Sequence, residues 1–294
     1  MDQAQQLRNL IKQQQLKERS ENVARVITVT SGKGGVGKSN VSVNLAIQFR
    51  KLGKKVVILD ADFGLANVEV MFGMIPKYTL KDVFEGGKSI KEVLTEGPMG
   101  VLFVSGGSGI AGLSDLSKTQ LSHLARNLAE LDEMADVIIV DTGAGISDSV
   151  LEFVAAGSEV LLVATAEPTS LTDSYSLLKA LHSYEKFSTD HTTIKVVANK
   201  VFTAAEGRSV YNKLNVVCDK FLQMPISFLG VVPQDENVLK SVIKQIPVSL
   251  NVPNAKSSRA YEKLARNLMN EEEKMDNNAT GLRGLFANYL RKSF

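Results

Sequence analysis

One cysteine, Cys218, stands alone in 294 residues, so no internal disulfide can form and no zinc or iron-sulfur site can be built from the thiols of one chain. A reducing cytoplasm is the compartment this implies. Aromatic residues make up only 6%, and the 34 basic and 32 acidic residues leave a net charge of +2, too small a bias to argue for nucleic acid by itself. Long apolar runs are missing too. Stretches such as Val56-Val57-Ile58-Leu59 are a few residues long, against about 18 for a spanning helix. The first fifteen residues, MDQAQQLRNLIKQQQ, hold no apolar core of the secretion-signal type. With 44% hydrophobic and 22% charged residues, the chain is expected to be globular, and soluble or at most attached to a surface.

Three regions follow from the pattern. Residues 1–22 are Gln-rich, with Leu7, Leu10 and Ile11 at the spacing of a short amphipathic helix. Across residues 23–270, apolar β-branched runs at 25–30, 55–59, 101–104, 136–140, 159–163, 195–198 and 226–232 alternate with helix-length amphipathic stretches. Near-continuous apolar strands separated by helices imply one doubly wound α/β domain, a single mostly parallel sheet with helices on both faces. Residues 271–280 read as an acidic linker and 281–294 as a separate basic terminal helix.

The chemistry gathers where strands end. After the first strand, Gly32, Lys33, Gly34, Gly35, Val36, Gly37, Lys38 and Ser39 open a helix, the setting a phosphate-binding loop requires. Glycines let the backbone turn N–H groups toward phosphate oxygens at a helix N-terminus. Lys38 would neutralise the β- and γ-phosphates of a nucleotide, and the Ser39 hydroxyl would ligate Mg²⁺. Asp60 and Asp62 follow the second long strand on one side of an extended chain, where carboxylates hold Mg²⁺-bound water or polarise an attacking water. Asp141 ends another apolar strand before a glycine-rich turn that contains Gly145, a second Mg²⁺ position.

Lys33 is not required by an ordinary phosphate loop. The run Lys33 to Ser39 matches KGGxxGK(S/T) in full and resembles the deviant phosphate-loop ATPases of the MinD and ParA type. The resemblance implies a Mg²⁺-dependent ATPase with ATP or ADP as ligand, and a homodimer in the ATP state in which Lys33 reaches the partner's phosphates. It further implies that Asp60 is an outer-sphere Mg²⁺ group, that Asp62 orients the hydrolytic water, and that Gly145 offers its N–H to the γ-phosphate. Asn67 falls in the first switch. Asn199 stands where the family reads adenine, and Val232, Pro233 and Asp235 match its backbone-supplied adenine loop. Glu167 and Asp173 occupy acidic positions of the dimer-face segment, with Ala166 where proline is common.

The termini point to a subfamily. Leu282, Leu285, Phe286, Tyr289, Leu290 and Phe294 line one side of a tail helix, with Arg283, Asn288, Arg291 and Lys292 opposite, a pattern suited to an anionic membrane surface. A helix docked on its own domain is the other reading of this tail. Asp2, Gln3, Ala4, Leu7 and Arg8 match the DQAxxLR signature of the FlhG (YlxH) flagellar-number regulators, which are MinD relatives. That resemblance implies activation of FlhF, a GTPase of the signal-recognition-particle type, with flagellar switch-complex proteins as further partners and no specific nucleic acid. Localisation would be cytoplasmic, peripheral on the inner face of the membrane when ATP is bound. A MinD-like division-site regulator and a ParA-like DNA-partition ATPase are the alternatives.

Overall fold

The computed structural model describes residues 23–62, 67–85, 87–107, 118–185, 187–272 and 281–282. Eight strands form one sheet: β1 (Arg25–Ser31), β2 (Val56–Ala61), β3 (Thr95–Glu96), β4 (Leu102–Val104), β5 (Val137–Ala144), β6 (Glu159–Ala164), β7 (Thr193–Val201) and β8 (Ile226–Pro233). Their spatial order is β3-β4-β2-β5-β1-β6-β7-β8. Every pairing is parallel except that of the two-residue β3 with β4. The mostly parallel, doubly wound sheet implied by the sequence is therefore present, with β3 as an antiparallel edge that the apolar pattern was too short to reveal.

Alternation along the strands explains why both faces are covered. Ile27, Val29, Val56, Ile58, Val137 and Ile139 pack on one side with Val41, Leu45 and Phe49 of the helix Lys38–Lys51 and with Tyr261, Leu264 and Leu268 of the helix Lys256–Glu272. Their neighbours Val26, Val57, Leu59, Ile138 and Val140 face the other side, against Leu124 and Leu128 of the helix Lys118–Ala129. Farther along that second face, Leu162 and Val196 meet Leu177, Leu181, Val210 and Leu214 of the helices Pro168–His182 and Ala204–Leu222. Apolar residues at both parities put the interiors of the central strands β1, β2, β5 and β6 out of water.

At the amino ends of β1 and β6, buried Glu159 takes hydrogen bonds from Arg25 at 2.7 and 2.9 Å and from Lys195 at 2.8 Å. This brace is structural and lies opposite the carboxyl ends, where ligands bind in folds of this type. Most strands run longer than expected, and two of these extensions bear on the site. β2 continues to Ala61 and takes Asp60 into the sheet, and β5 continues to Ala144, so the glycine-rich segment after Asp141 begins inside a strand.

Two expectations about the chain ends meet the structure. The helix Lys256–Glu272 runs two residues into the expected linker. Leu282, expected on a membrane-facing side, is instead fully buried with Val26, Leu128, Leu131 and Phe153, and its N–H donates to Asp132 Oδ1 at 2.7 Å. Burying an apolar side chain among others is favourable, so in this conformation the tail starts against its own domain. The calls on Leu285, Phe286, Tyr289, Leu290 and Phe294, and those on Asp2, Gln3, Ala4, Leu7 and Arg8, lie outside the described residues.

Candidate nucleotide site

The carboxyl ends of β1, β2, β5, β7 and β8 surround a cavity of about 920 Å³. Its lining brings together Gly34, Gly35, Gly37, Lys38, Ser39, Asp62, Asn67, Asn199, Val232, Pro233 and Asp235, residues that the sequence spreads over 200 positions. A register shift between β1 and β5 next to Ser31 turns the chain out of the sheet where the loop begins.

The loop itself is built for an anion. Gly37 precedes the helix Lys38–Lys51 in the left-handed region at φ +95°, and a Cβ there would stand 2.4 Å from Asn199 Nδ2, so only glycine fits. No side chain caps that helix and no acidic residue occupies its first turn, which leaves its N-terminal N–H groups and dipole directed at a ligand. Gly32 has a different reason for being glycine: a Cβ would lie 2.2 Å from the backbone of Asp173. Asp173 thus meets the loop through its main chain, in the helix Pro168–His182.

Lys38 is buried and lies 3.3 Å from Asp141 Oδ1, to which Ser42 Oγ also donates at 2.8 Å. Asp141 Oδ2 is buried with no hydrogen-bond partner. Asp60 stands directly across from it in the β2–β5 register, its oxygens accepting N–H bonds from Asp62 at 3.1 Å and Val68 at 3.2 Å. Burial, followed by the charge of Asp141, pushes the Asp60 carboxyl up to about 8. Two buried carboxylates with one lysine and an unpartnered oxygen form a donor set that fits a hard divalent cation. Among the described residues no group of three or more His, Cys, Asp or Glu side chains converges as a metal cage. That suits Mg²⁺, which takes most of its ligands from phosphate, hydroxyl and water.

Asp62 leaves the strand and its carboxylate accepts from Asn67 Nδ2 at 3.3 Å, tying the end of β2 to the start of the helix Asn67–Phe72. Lys33 turns to its own chain, donating to Glu167 Oε2 at 2.9 Å and Thr169 Oγ1 at 2.6 Å. The Lys33 hydrogen bond holds the exposed Glu167 carboxyl below its usual range.

Two residues named from the sequence make polar contacts of their own in this conformation. The Gly145 N–H donates to the Ser31 carbonyl at 2.9 Å, so in this conformation it is not presented to a phosphate. Asp235 lines the cavity, but its carboxylate accepts from Asn237 N–H and from both the N–H and the hydroxyl of Ser257, at 2.9 to 3.0 Å. Burial opposes ionisation of Asp235, yet these hydrogen bonds outweigh it and hold the carboxyl below its usual value. The side chain is a helix cap and loop anchor, beside Val232 and Pro233 in the cavity lining.

Several contributors escaped the sequence. Ser42 lies one helical turn after Lys38, and that i+4 spacing was its only signal. Thr169 and Lys200 carry no motif of their own, and Met71, Leu239 and Tyr261 line the cavity as apolar walls.

Similarity to known proteins agrees with this site. The family model described as "ParA: NUBPL iron-transfer P-loop NTPase" matches residues 22–269. Antiactivator FleN of Pseudomonas aeruginosa is 46% identical over 249 residues, covering 84% of this chain and 87% of that protein. Flagellum site-determining protein YlxH of Helicobacter pylori is 31% identical over 272 residues, covering 91% and 90%. Among solved structures, the MinC:MinD cell division complex of Aquifex aeolicus superposes with a TM-score of 0.67 at 25% identity, covering 84% of this chain and 96% of that one. With the complete phosphate loop, the paired strand-end carboxylates and these matches, the chain belongs to the ParA family of P-loop NTPases.

Proposed function

We propose that this protein is an ATP-driven, dimerising switch that regulates the number and placement of flagella. The observation that carries the reading is the 46% identity, over most of both chains, to a protein named antiactivator FleN, together with the intact phosphate loop. YlxH, named for determining the flagellum site, supports the same assignment.

ATP or ADP seats its phosphates on the loop N–H groups and on Lys38, which exchanges its contact with Asp141 for the phosphate oxygens. Mg²⁺, held through Ser39, Asp60 and Asp141, supplies charge neutralisation at the transferring phosphoryl group. Asp62 accepts a proton-side hydrogen bond from the attacking water and aligns it for in-line attack, while Asn67 fixes the carboxylate. Because Lys33 is held by Glu167 and Thr169, it must leave that exposed ion pair before it can reach a partner's nucleotide. Dimerisation is then coupled to rearrangement at the start of the helix Pro168–His182. Glu167 and Asp173 flank that surface. Through residues 1–22 the chain activates FlhF, and through residues 282–294 it reaches the inner face of the membrane once Leu282 leaves the core.

The test is made in the parent cell. Removing the protein changes the number of flagella per cell, the wild-type chain restores it, and Lys38→Gln does not. Unchanged flagellar counts after removal would refute the proposal. A chain lacking residues 2–8 retains ATP binding but no longer stimulates GTP hydrolysis by FlhF, and intact stimulation would remove that segment from partner activation.

A further inference from the structure

The end of β7 is tied to the phosphate loop by two adjacent side chains. Asn199 Nδ2 donates to the Val36 carbonyl at 2.7 Å, and Lys200 Nζ donates to the Gly35 carbonyl at 2.7 Å. The Lys200 N–H in turn donates to Asn199 Oδ1 at 2.9 Å, so one amide braces the next residue. Lys200 has a left-handed backbone, φ +56°, and lies where Asn199 pairs with Val232 but Val201 pairs with Pro233, leaving Lys200 as the extra residue in the register. A non-glycine residue in that region is strained, and an extra residue at a strand end re-aims its side chain. Here the side chain is aimed at the loop.

Peptide geometry gives the consequence. In a trans peptide the C=O and the following N–H point in opposite directions. Fixing the Gly35 carbonyl on Lys200 therefore turns the Val36 N–H the other way, and fixing the Val36 carbonyl on Asn199 does the same to the Gly37 N–H. These are loop N–H groups of the kind that cradle phosphate oxygens. The Lys200 ammonium also offsets the negative end of the Gly35 carbonyl, which would otherwise repel an incoming anion. Asn199 already uses one amide hydrogen on the loop and one lone pair on Lys200, a commitment that a residue reading only the base would not show.

We infer that Lys200, braced by Asn199, is a positioning residue for phosphate binding: it sets the loop's peptide planes so that the Val36 and Gly37 N–H groups meet the nucleotide phosphates whatever base is attached. This rests on the nucleotide reading of the cavity. The experiment measures binding of Mg-ADP and of inorganic tripolyphosphate to the full chain by calorimetry, for wild type, Lys200→Met and Lys200→Arg. A hydrogen bond from a charged donor is strong enough that Lys200→Met should weaken both ligands by the same factor, roughly tenfold to a hundredfold. Lys200→Arg should restore most of it, and the amide resonances of Val36 and Gly37 should move in the ligand-free Lys200→Met protein. A loss confined to ADP would make Lys200 a base or ribose contact and overturn the inference, as would unchanged affinity for both. Failure of the wild type to bind either ligand would instead refute the nucleotide reading on which it rests. Should Lys200→Met lower the thermal midpoint, Lys200→Arg decides: affinity for both ligands recovering while the midpoint stays low supports the inference, and affinity that follows the midpoint overturns it.

Discussion

Asp60→Asn should flatten the pH dependence of stability of the ligand-free protein. Asp60 is fully buried, and burial together with the facing Asp141 raises its carboxyl from 3.8 to about 8. Between those values the folded chain keeps a proton that the unfolded chain has released. The contribution of Asp60 is therefore fully present below about pH 4 and is lost as pH rises toward 8. One retained proton tilts the stability by about 1.4 kcal/mol per pH unit, or about 3 kcal/mol between pH 5 and pH 7. Asparagine does not titrate, so that tilt disappears. One of the two N–H groups now accepted by Asp60 would face an amide nitrogen in the variant, at a cost of about 1 kcal/mol that shifts the curve without tilting it. Urea unfolding at pH 5, 6, 7 and 8, without nucleotide or Mg²⁺, gives both curves, compared at a common m-value. Parallel slopes for wild type and variant would refute the raised Asp60 carboxyl.

Ser42→Ala removes the 2.8 Å hydrogen bond to buried Asp141 and should lower stability by about 2 kcal/mol, roughly 4 to 8 °C in the melting temperature; an unchanged midpoint would show that Ser42 is not needed there. Leu282→Ala truncates a fully buried side chain and should cost about 2 to 5 kcal/mol in chemical unfolding, whereas a surface residue would cost almost nothing. Lys33→Ala should leave the thermal midpoint and ADP affinity unchanged, since the Lys33–Glu167 pair is exposed, yet abolish ATP-dependent dimerisation in sedimentation; a normal dimer would remove Lys33 from the partner contact.

Much of this architecture was legible because its determinants are local. The parallel sheet follows from strands such as Val56–Ala61, apolar at both parities, and the phosphate loop is one contiguous run read with a strand before it and a helix after it. What stayed hidden depends on tertiary approach. Ser42 reaches Asp141 across 99 positions and Lys200 reaches Gly35 across 165, and neither residue type in its own neighbourhood signals a partner so distant. The bonds of Gly145 to Ser31 and of Asp235 to Ser257 are likewise tertiary, and the motifs that hold Gly145 and Asp235 signal neither partner. Leu282 fits an amphipathic stripe whether that stripe meets lipid or protein, and only the neighbouring core side chains and Asp132 decide between them here.

The central claim is that the γ-phosphate drives dimerisation and that hydrolysis reverses it. Sedimentation of the full-length Asp62→Ala chain with Mg-ATP and with Mg-ADP tests it most directly, because the phosphate cradle is intact while the attacking water is no longer aligned. A stable dimer with Mg-ATP, a monomer with Mg-ADP and turnover reduced to background are the predicted results. The same oligomeric state with both nucleotides, or hydrolysis at the wild-type rate, would contradict the account.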